Sequence, residues 1–192
     1  LTFEYIKKYI PNNKFLVTYT GTFGVVNALE YIIDAAAILM KKDRNSNIHF
    51  LLVGDGATKK SLVLRAQNLE NITFAPLVNK DQVQHILSMS NLLISSVRDE
   101  SIYKYGMSPL KFIDYMYAKK PIVCLFSGYP SMLNEADCGE FIPSEDSVAL
   151  ANVIEKYSSL EASEIVRIGN NGYKFLLEKR NFDFLSEKYL KL

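Results

Sequence analysis

An open parallel α/β sheet wrapped by helices on both faces is the fold this sequence predicts, and three observations carry it. Short apolar runs alternate with helical patterns along nearly the whole chain. Residues 48–53 (IHFLLV) form an unbroken apolar run, as expected of a central strand covered on both sides. Two glycine-bearing turns, Gly21-Thr22-Phe23-Gly24 and Gly54-Asp55-Gly56, stand where strands would hand over to helices.

Taken in order, residues 14–20 (KFLVTYT) read as the first strand, and a helix is expected over 27–42 with Leu29, Ile32, Ile33, Ala36, Leu39 and Met40 on one side. The strand 48–53 breaks at Gly54-Asp55-Gly56 before a helix running through Leu69. Ile72 to Ala75 makes a short strand that turns at Pro76-Leu77-Val78. A helix over 81–89, a strand over 92–95 and an irregular loop over 96–106 follow. Ser108 is expected to cap the next helix, with Pro109 at its first position, where the missing N–H would have had no partner. A strand over 121–126, a turn at 127–130, a short helix ending near Ala136 and a strand over 139–142 complete the sheet, and helices fill 146–192. With no repeat, low-complexity tract or linker, the 192 residues read as one domain.

Charge and composition exclude several classes. A formal net charge of +1, with lysines scattered instead of striped, gives no electrostatic footprint for nucleic acid. Cys124 and Cys138 lack a CxxC spacing and any nearby histidine, so they read as two buried thiols and not as a metal site or a disulfide. His49 and His85 lack ligand spacing, and no metal is expected. No apolar run approaches the roughly 20 residues of a membrane span, and the polar start has no signal-peptide core, so a cytoplasmic location is expected. The initial Leu1 fits an excised piece of a longer chain.

The stretch 105–123 is the most informative. A helix start facing a loop offers unpaired N–H groups and a positive dipole end, which suits an anion such as a diphosphate. Lys111 and Asp114 share one face of that helix, so one can meet phosphate and the other a sugar hydroxyl. The same pair can equally be a solvated surface pair. In an open sheet ligands gather at the carboxyl ends of the strands, which here means the loops 20–27, 76–80, 96–111 and 127–131. Tyr103, Tyr105 and Tyr129 sit in those loops and could cover a ligand, while Asp99 and Glu100 read as solvated.

In order and spacing, these fragments resemble the C-terminal half of family 4 retaining glycosyltransferases of the GT-B type. Val53-Gly54-Asp55-Gly56 resembles that family's VGDG, Asn71-Ile72-Thr73-Phe74 its N-V-x-F strand, and the stretch 114–123 (DYMYAKKPIV) its E-A-M-A-x-G-x-P-V-V. Two departures stand out. Thr22 and Asn27 occupy places where the family often has Arg and Lys, and Gly106 occupies the first place of its E-x7-E pair, with Asp114 at the second. Lys111 is then the natural replacement cation. The segment Gly-x-Ser-Pro-x-Lys-x-x-Asp-Tyr-Met resembles the branch that builds bacterial surface polysaccharides from UDP-linked amino sugars.

The resemblance implies a donor domain for a nucleotide-diphosphate sugar, UDP-linked by preference, working without a cofactor or a metal. It places Gly21, Thr22, Gly24, Ser108 and Lys111 at the diphosphate, Asp114 at the ribose, and the backbone of Pro76, Leu77 and Val78 at the base. Catalytic residues on the acceptor side would lie in an N-terminal half ahead of this region, so the chain alone is expected to be inactive. That half would also supply any contact with the inner face of a membrane. The apolar end, Phe182, Phe184, Leu185, Tyr189, Leu190 and Leu192, is expected to fray, dimerise or fold back unless that half covers it. A nucleotide-binding or regulatory module without transferase activity is the alternative. A flavodoxin-like or receiver-like domain lacks the phosphate loop or acidic pocket it would need.

Overall fold

Six runs become strands: the four inner ones are apolar enough to be buried on two faces at once, and the edge runs 72–75 and 139–142 are half-buried. The computed structural model describes residues 1–43 and 46–191. In chain order the elements are α1 (Phe3–Tyr9), β1 (Phe15–Thr22), α2 (Glu30–Lys42), β2 (Ile48–Asp55), α3 (Lys59–Arg65), β3 (Ile72–Ala75), α4 (Lys80–Met89), β4 (Leu92–Ser96), α5 (Leu110–Tyr117), β5 (Ile122–Leu125), α6 (Met132–Ala136), β6 (Gly139–Ile142), α7 (Ser147–Ser158), α8 (Ala162–Lys179) and α9 (Phe182–Tyr189). Short 3-10 turns cover Val25–Asn27 and Ser101–Tyr105.

All five strand pairings are parallel, in the order β3-β2-β1-β4-β5-β6. The order reverses between β1 and β4, so the connections after these two strands leave toward opposite faces and open a crevice at their carboxyl ends. Alternation along the strands builds both sides of the core. Val17 and Tyr19 of β1, with Phe50 and Leu52 of β2, pack against α2 and α7. Leu16, Leu51 and Val53 face the other way, toward α1 and α4. Further along that face, Phe112, Tyr115 and Met116 of α5 cover Ile122 and Cys124. Side chains register the central pair as well. Asn91 accepts from the Leu16 N–H at 2.7 Å, and the Ser90 hydroxyl donates to Thr18 at 2.7 Å in the buried interior.

Several boundaries differ from the sequence expectation. β1 continues through Gly21 and Thr22 because Gly54 and Asp55 extend β2 in register with them. The helix expected from Asn27 starts at Glu30: Ala28 takes a left-handed conformation at φ 45°, and the Asn27 side chain turns back to donate to the Thr22 carbonyl at 2.9 Å. The helix expected to reach Leu69 ends at Arg65, where Ala66 accepts from the Leu69 N–H in a closing turn. Ahead of the first expected strand lies α1, capped by Thr2 on the Tyr5 N–H at 3.2 Å.

The thiols of Cys124 and Cys138 are free and buried, and burial pushes both up to about 12. His49 is held at 2.9 Å from the Thr73 hydroxyl, and burial lowers its pKa to about 4. Among the described residues, no helix is long and apolar enough to cross a membrane. At the end of the chain Phe182 and Leu190 are 93% and 83% exposed, and Tyr189 is exposed too. Leu192, counted with this apolar end, lies outside the described residues.

Candidate functional site

The crevice at the β1/β4 switch holds two adjoining cavities of about 370 and 260 Å³ that share Asn27 and Lys111 as walls. Thr20, Gly21 and Thr22 line the larger one at the end of β1, with Leu77, Val78 and Val83 opposite and Lys111 and Asp114 of α5 on its floor. Tyr103, Met107, Ser108 and Pro109 line the smaller, together with Ser95 and Ser96 at the end of β4.

Glycine is required where β1 ends. Gly21 has φ +146°, and a Cβ there would meet the Tyr19 hydroxyl at 3.1 Å and the Lys111 ammonium at 3.3 Å. Gly54, beside it in register, would drive a Cβ to 1.9 Å from the Gly21 carbonyl oxygen. The Val53-Gly54-Asp55-Gly56 turn is therefore a packing requirement of the strand ends. Beyond Gly21 the chain is tied at many points. The Thr22 carbonyl accepts from the Tyr19 hydroxyl at 2.8 Å and from Asn27 at 2.9 Å. The Phe23 N–H donates to Asp55 at 2.8 Å, and its carbonyl accepts from the N–H and hydroxyl of Thr58.

Lys111 is the electrostatic centre. Its Nζ lies 4.2 Å from the centroid of the Tyr19 ring, a cation–π contact. Among the described residues no carboxylate pairs with it and no atom accepts a hydrogen bond from it. The nearby ionisable groups are no counter-charge either. Burial raises the Tyr19 phenol far above its usual range, and it holds the Tyr115 phenol and the Cys124 thiol at about 12. All three stay neutral near pH 7, and desolvation brings Lys111 itself down to about 8. A half-buried cation in neutral surroundings at the mouth of a cavity can accept an anion with little competition from the protein.

The start of α5 differs from expectation, and the difference adds donors. Pro109, not Ser108, holds the cap position: its ψ of 127° is extended, the Phe112 N–H is the first to bond back to its carbonyl, and no side chain caps the turn. The chain enters this helix extended because Gly106 sits at φ 100° and the Ser131 hydroxyl donates to the Met107 carbonyl at 3.3 Å. Ser108 is left exposed on the wall of the smaller cavity. Lys111 belongs to this uncapped first turn, which has free N–H groups of its own.

Of the residues singled out in the sequence, Gly21, Thr22, Leu77, Val78, Lys111 and Asp114 meet at the larger cavity, and Ser108 joins Lys111 at the smaller. Gly24 and Pro76 border these loops without lining either cavity. Tyr103 lines the smaller cavity, while Tyr105 and Tyr129 are exposed and line neither cavity. Asp114 is exposed, and its backbone carbonyl accepts from Gln84 at 3.0 Å.

Sequence reasoning missed Arg98. Its guanidinium pairs with Glu30 and, at 3.3 Å, with Glu145; its Nε reaches the Val25 carbonyl at 3.4 Å and its N–H donates to the Val26 carbonyl at 2.9 Å. Glu145, in a left-handed conformation at φ 63°, also accepts from the Tyr31 hydroxyl at 2.9 Å and the Asp99 N–H at 3.3 Å. The cluster clamps the turn Val25–Asn27 against α2 and the loop before α7. Its members lie 46 to 114 residues apart and had no local signal.

A parallel sheet in the order 3-2-1-4-5-6, with a cationic, uncapped helix start at its switch point, is a doubly wound, Rossmann-like α/β fold. The model of the family "Glycosyl transferases group 1" matches residues 3–175, and the chain belongs to that family. The putative colanic acid biosynthesis glycosyl transferase WcaI of Escherichia coli is 34% identical over 84 residues, 43% of this chain and 20% of that protein. Alpha-D-kanosaminyltransferase of Streptomyces kanamyceticus is 21% identical over 157 residues, 80% of this chain and 39% of that protein. The chain thus spans well under half the length of either relative. Among solved structures, a mutant of TarM from S. aureus, crystallised with fondaparinux, alpha-GlcNAc-glycerol and UDP, superposes with a TM-score of 0.77 at 20% identity, over 93% of this chain and 35% of that one. The C-terminal domain of the group 1 glycosyl transferase LpcC from Francisella tularensis gives a TM-score of 0.71 at 17% identity, covering 93% of this chain and 92% of that domain.

Proposed function

We propose that this chain is the donor-binding half of a retaining, family 4 type glycosyltransferase, and that the crevice between β1 and β4 takes a nucleotide-diphosphate sugar, UDP-linked by preference. One observation carries the reading: Lys111, an unpaired and half-buried cation, stands between two cavities at the strand ends beside an uncapped helix start. Glycosyl transfer from such a donor needs its leaving diphosphate stabilised as charge develops. Lys111, the first turn of α5 and the chain at Gly21 and Thr22 supply that, with Gly24 and Ser108 at the margins. Asp114 holds the ribose hydroxyls, and the backbone of Pro76, Leu77 and Val78 reads the base. The bound UDP in the similar TarM structure supports the choice of nucleotide.

The acceptor, polysaccharide or lipid-linked, is held by a second Rossmann-like half, which also brings the enzyme to the inner face of the membrane. The exposed Phe182, Leu185, Tyr189 and Leu190 of the terminal segment are the surface that half would cover. Transfer by this chain alone is negligible. Calorimetric titration with UDP, GDP and CDP tests the reading. UDP is expected to bind weakly and ahead of the other two, and absence of heat with all three at millimolar concentration would refute a donor site here.

A further inference from the structure

Pro76, Leu77 and Val78 leave β3 as irregular chain and reach α4 only at Lys80. Proline has no N–H to give, and among the described residues no backbone group of these three pairs with another backbone group. One hydrogen bond holds the segment: the Tyr5 hydroxyl, on α1, donates to the Pro76 carbonyl at 2.9 Å. That donor is itself well fixed. Thr2 caps α1 on the Tyr5 N–H, the Tyr5 and Tyr9 ring centroids are 4.9 Å apart, and both rings pack with Val78 on the cluster of Ile10, Leu16, Leu51 and Val53. Burial pushes the Tyr5 phenol up to about 12, so the hydroxyl remains a donor throughout the neutral range.

The bond fixes a direction as well as a position. No peptide among the described residues is cis, and in a planar trans peptide the C=O and N–H point opposite ways. Tying the Pro76 carbonyl to α1 therefore turns the Leu77 N–H away from α1. Leu77 and Val78 line the larger cavity, and among the described residues their backbone donors and acceptors have no partner. Such backbone groups, held still, are how a site fixes the orientation of a ligand's polar edge.

We propose that Tyr5 is a positioning residue for recognition of the nucleoside base, holding the Pro76–Leu77 peptide so that the Leu77 and Val78 backbone meets the edge of the base. The inference rests on the donor-site reading above. It assigns to α1, a helix that touches neither cavity, control over one part of the ligand and not the other.

The test is Tyr5→Phe, which keeps the ring and removes the hydroxyl, titrated with uridine, UDP and inorganic pyrophosphate. Affinity for uridine and UDP is expected to fall together, roughly three- to tenfold, the loss of one neutral hydrogen bond's worth of order, with pyrophosphate unchanged. An equal loss on pyrophosphate would mark a general structural role and overturn the proposal, as would unchanged uridine affinity. If the parent chain binds none of the three ligands, the donor-site reading falls on its own. Hydrogen exchange then decides the positioning claim: faster exchange of the Leu77 and Val78 amides in Tyr5→Phe, with β1 and β2 unchanged, supports it, and identical exchange in the two proteins overturns it.

Discussion

The two walls of the larger cavity are built in opposite ways. On one side, the chain from Thr22 to Asn27 is tied by the Tyr19 hydroxyl, the Asn27 amide, Asp55, Thr58 and the guanidinium and N–H of Arg98. On the other, among the described residues, Pro76, Leu77 and Val78 hang on a single hydrogen bond from Tyr5. The first wall faces the fixed charge of Lys111, and an anion site gains from rigidity because its dipoles then need no reorganisation when charge arrives. The second carries only backbone donors and acceptors, and one bond to a neighbouring helix sets their orientation. On the proposed donor-site reading, charge recognition is thus pre-set in the sheet ends, whereas base recognition is adjustable through an element outside the cavity.

The largest effect should come from the charged wall. Lys111→Ala is expected to weaken pyrophosphate and UDP by roughly ten- to a hundredfold, since bonds to a charged group are worth about 1.5–3 kcal/mol, while leaving uridine nearly untouched. The same variant should unfold at a higher temperature than the parent in the absence of ligand, because it removes a desolvated, unpaired ammonium. Calorimetry and thermal melts read both, and loss of uridine affinity would merge the two walls into one.

Next is the pH dependence. Desolvation places Lys111 at about 8, below its usual value, so the free site loses its cation as pH rises through 8, whereas a bound diphosphate holds the proton on. Pyrophosphate affinity should be flat just below pH 8 and decline by up to about tenfold for each unit above it. Lys111→Ala should abolish that slope. A flat profile from pH 7 to 9.5 in the parent would show that Lys111 does not bear on the anion.

Arg98→Ala should have a smaller effect of a different kind. It frees the Val25 carbonyl, keeps the backbone bond to Val26, and leaves Glu30 and Glu145 without their shared cation, at a cost of about 1–2 kcal/mol for a partly exposed cluster. Denaturant unfolding measures that cost, and pyrophosphate affinity should fall severalfold with it. The smallest effect is expected for Ser108→Ala. Because Ser108 does not cap α5, stability should change by less than about 0.5 kcal/mol, where loss of a true cap costs about 1.

The sheet was legible because buried parallel strands advertise themselves as continuous apolar runs, as 48–53 in β2 and 92–95 in β4 do, and the limits of the half-buried β3 and β6 also coincide with the sequence reading. Lys111 and Asp114 were legible for a related reason, since helical spacing places them on one face whatever the tertiary structure does. What sequence could not show was decided by long-range partners. The left-handed Ala28 that delays α2 carries no local signal, and a Ser-Pro pair looks the same whether the helix begins at Pro109 or after it. Arg98 stands beside the Asp99-Glu100 pair that reads as solvated, and its side-chain partners, 47 to 73 residues away, leave no trace in the local sequence. Tyr5 acts on a carbonyl 71 residues distant. Its spacing with Ile6, Tyr9 and Ile10 was the one hint of the amphipathic helix α1.

The most direct test of the central claim is an amide NMR titration of the chain with UDP, followed by pyrophosphate alone. UDP should perturb Gly21, Thr22, Leu77, Val78, Lys111 and Asp114, and pyrophosphate only the subset around Gly21, Thr22 and Lys111. Perturbations confined to residues outside the β1/β4 crevice, or the same set for both ligands, would contradict a donor site with separate walls for charge and base.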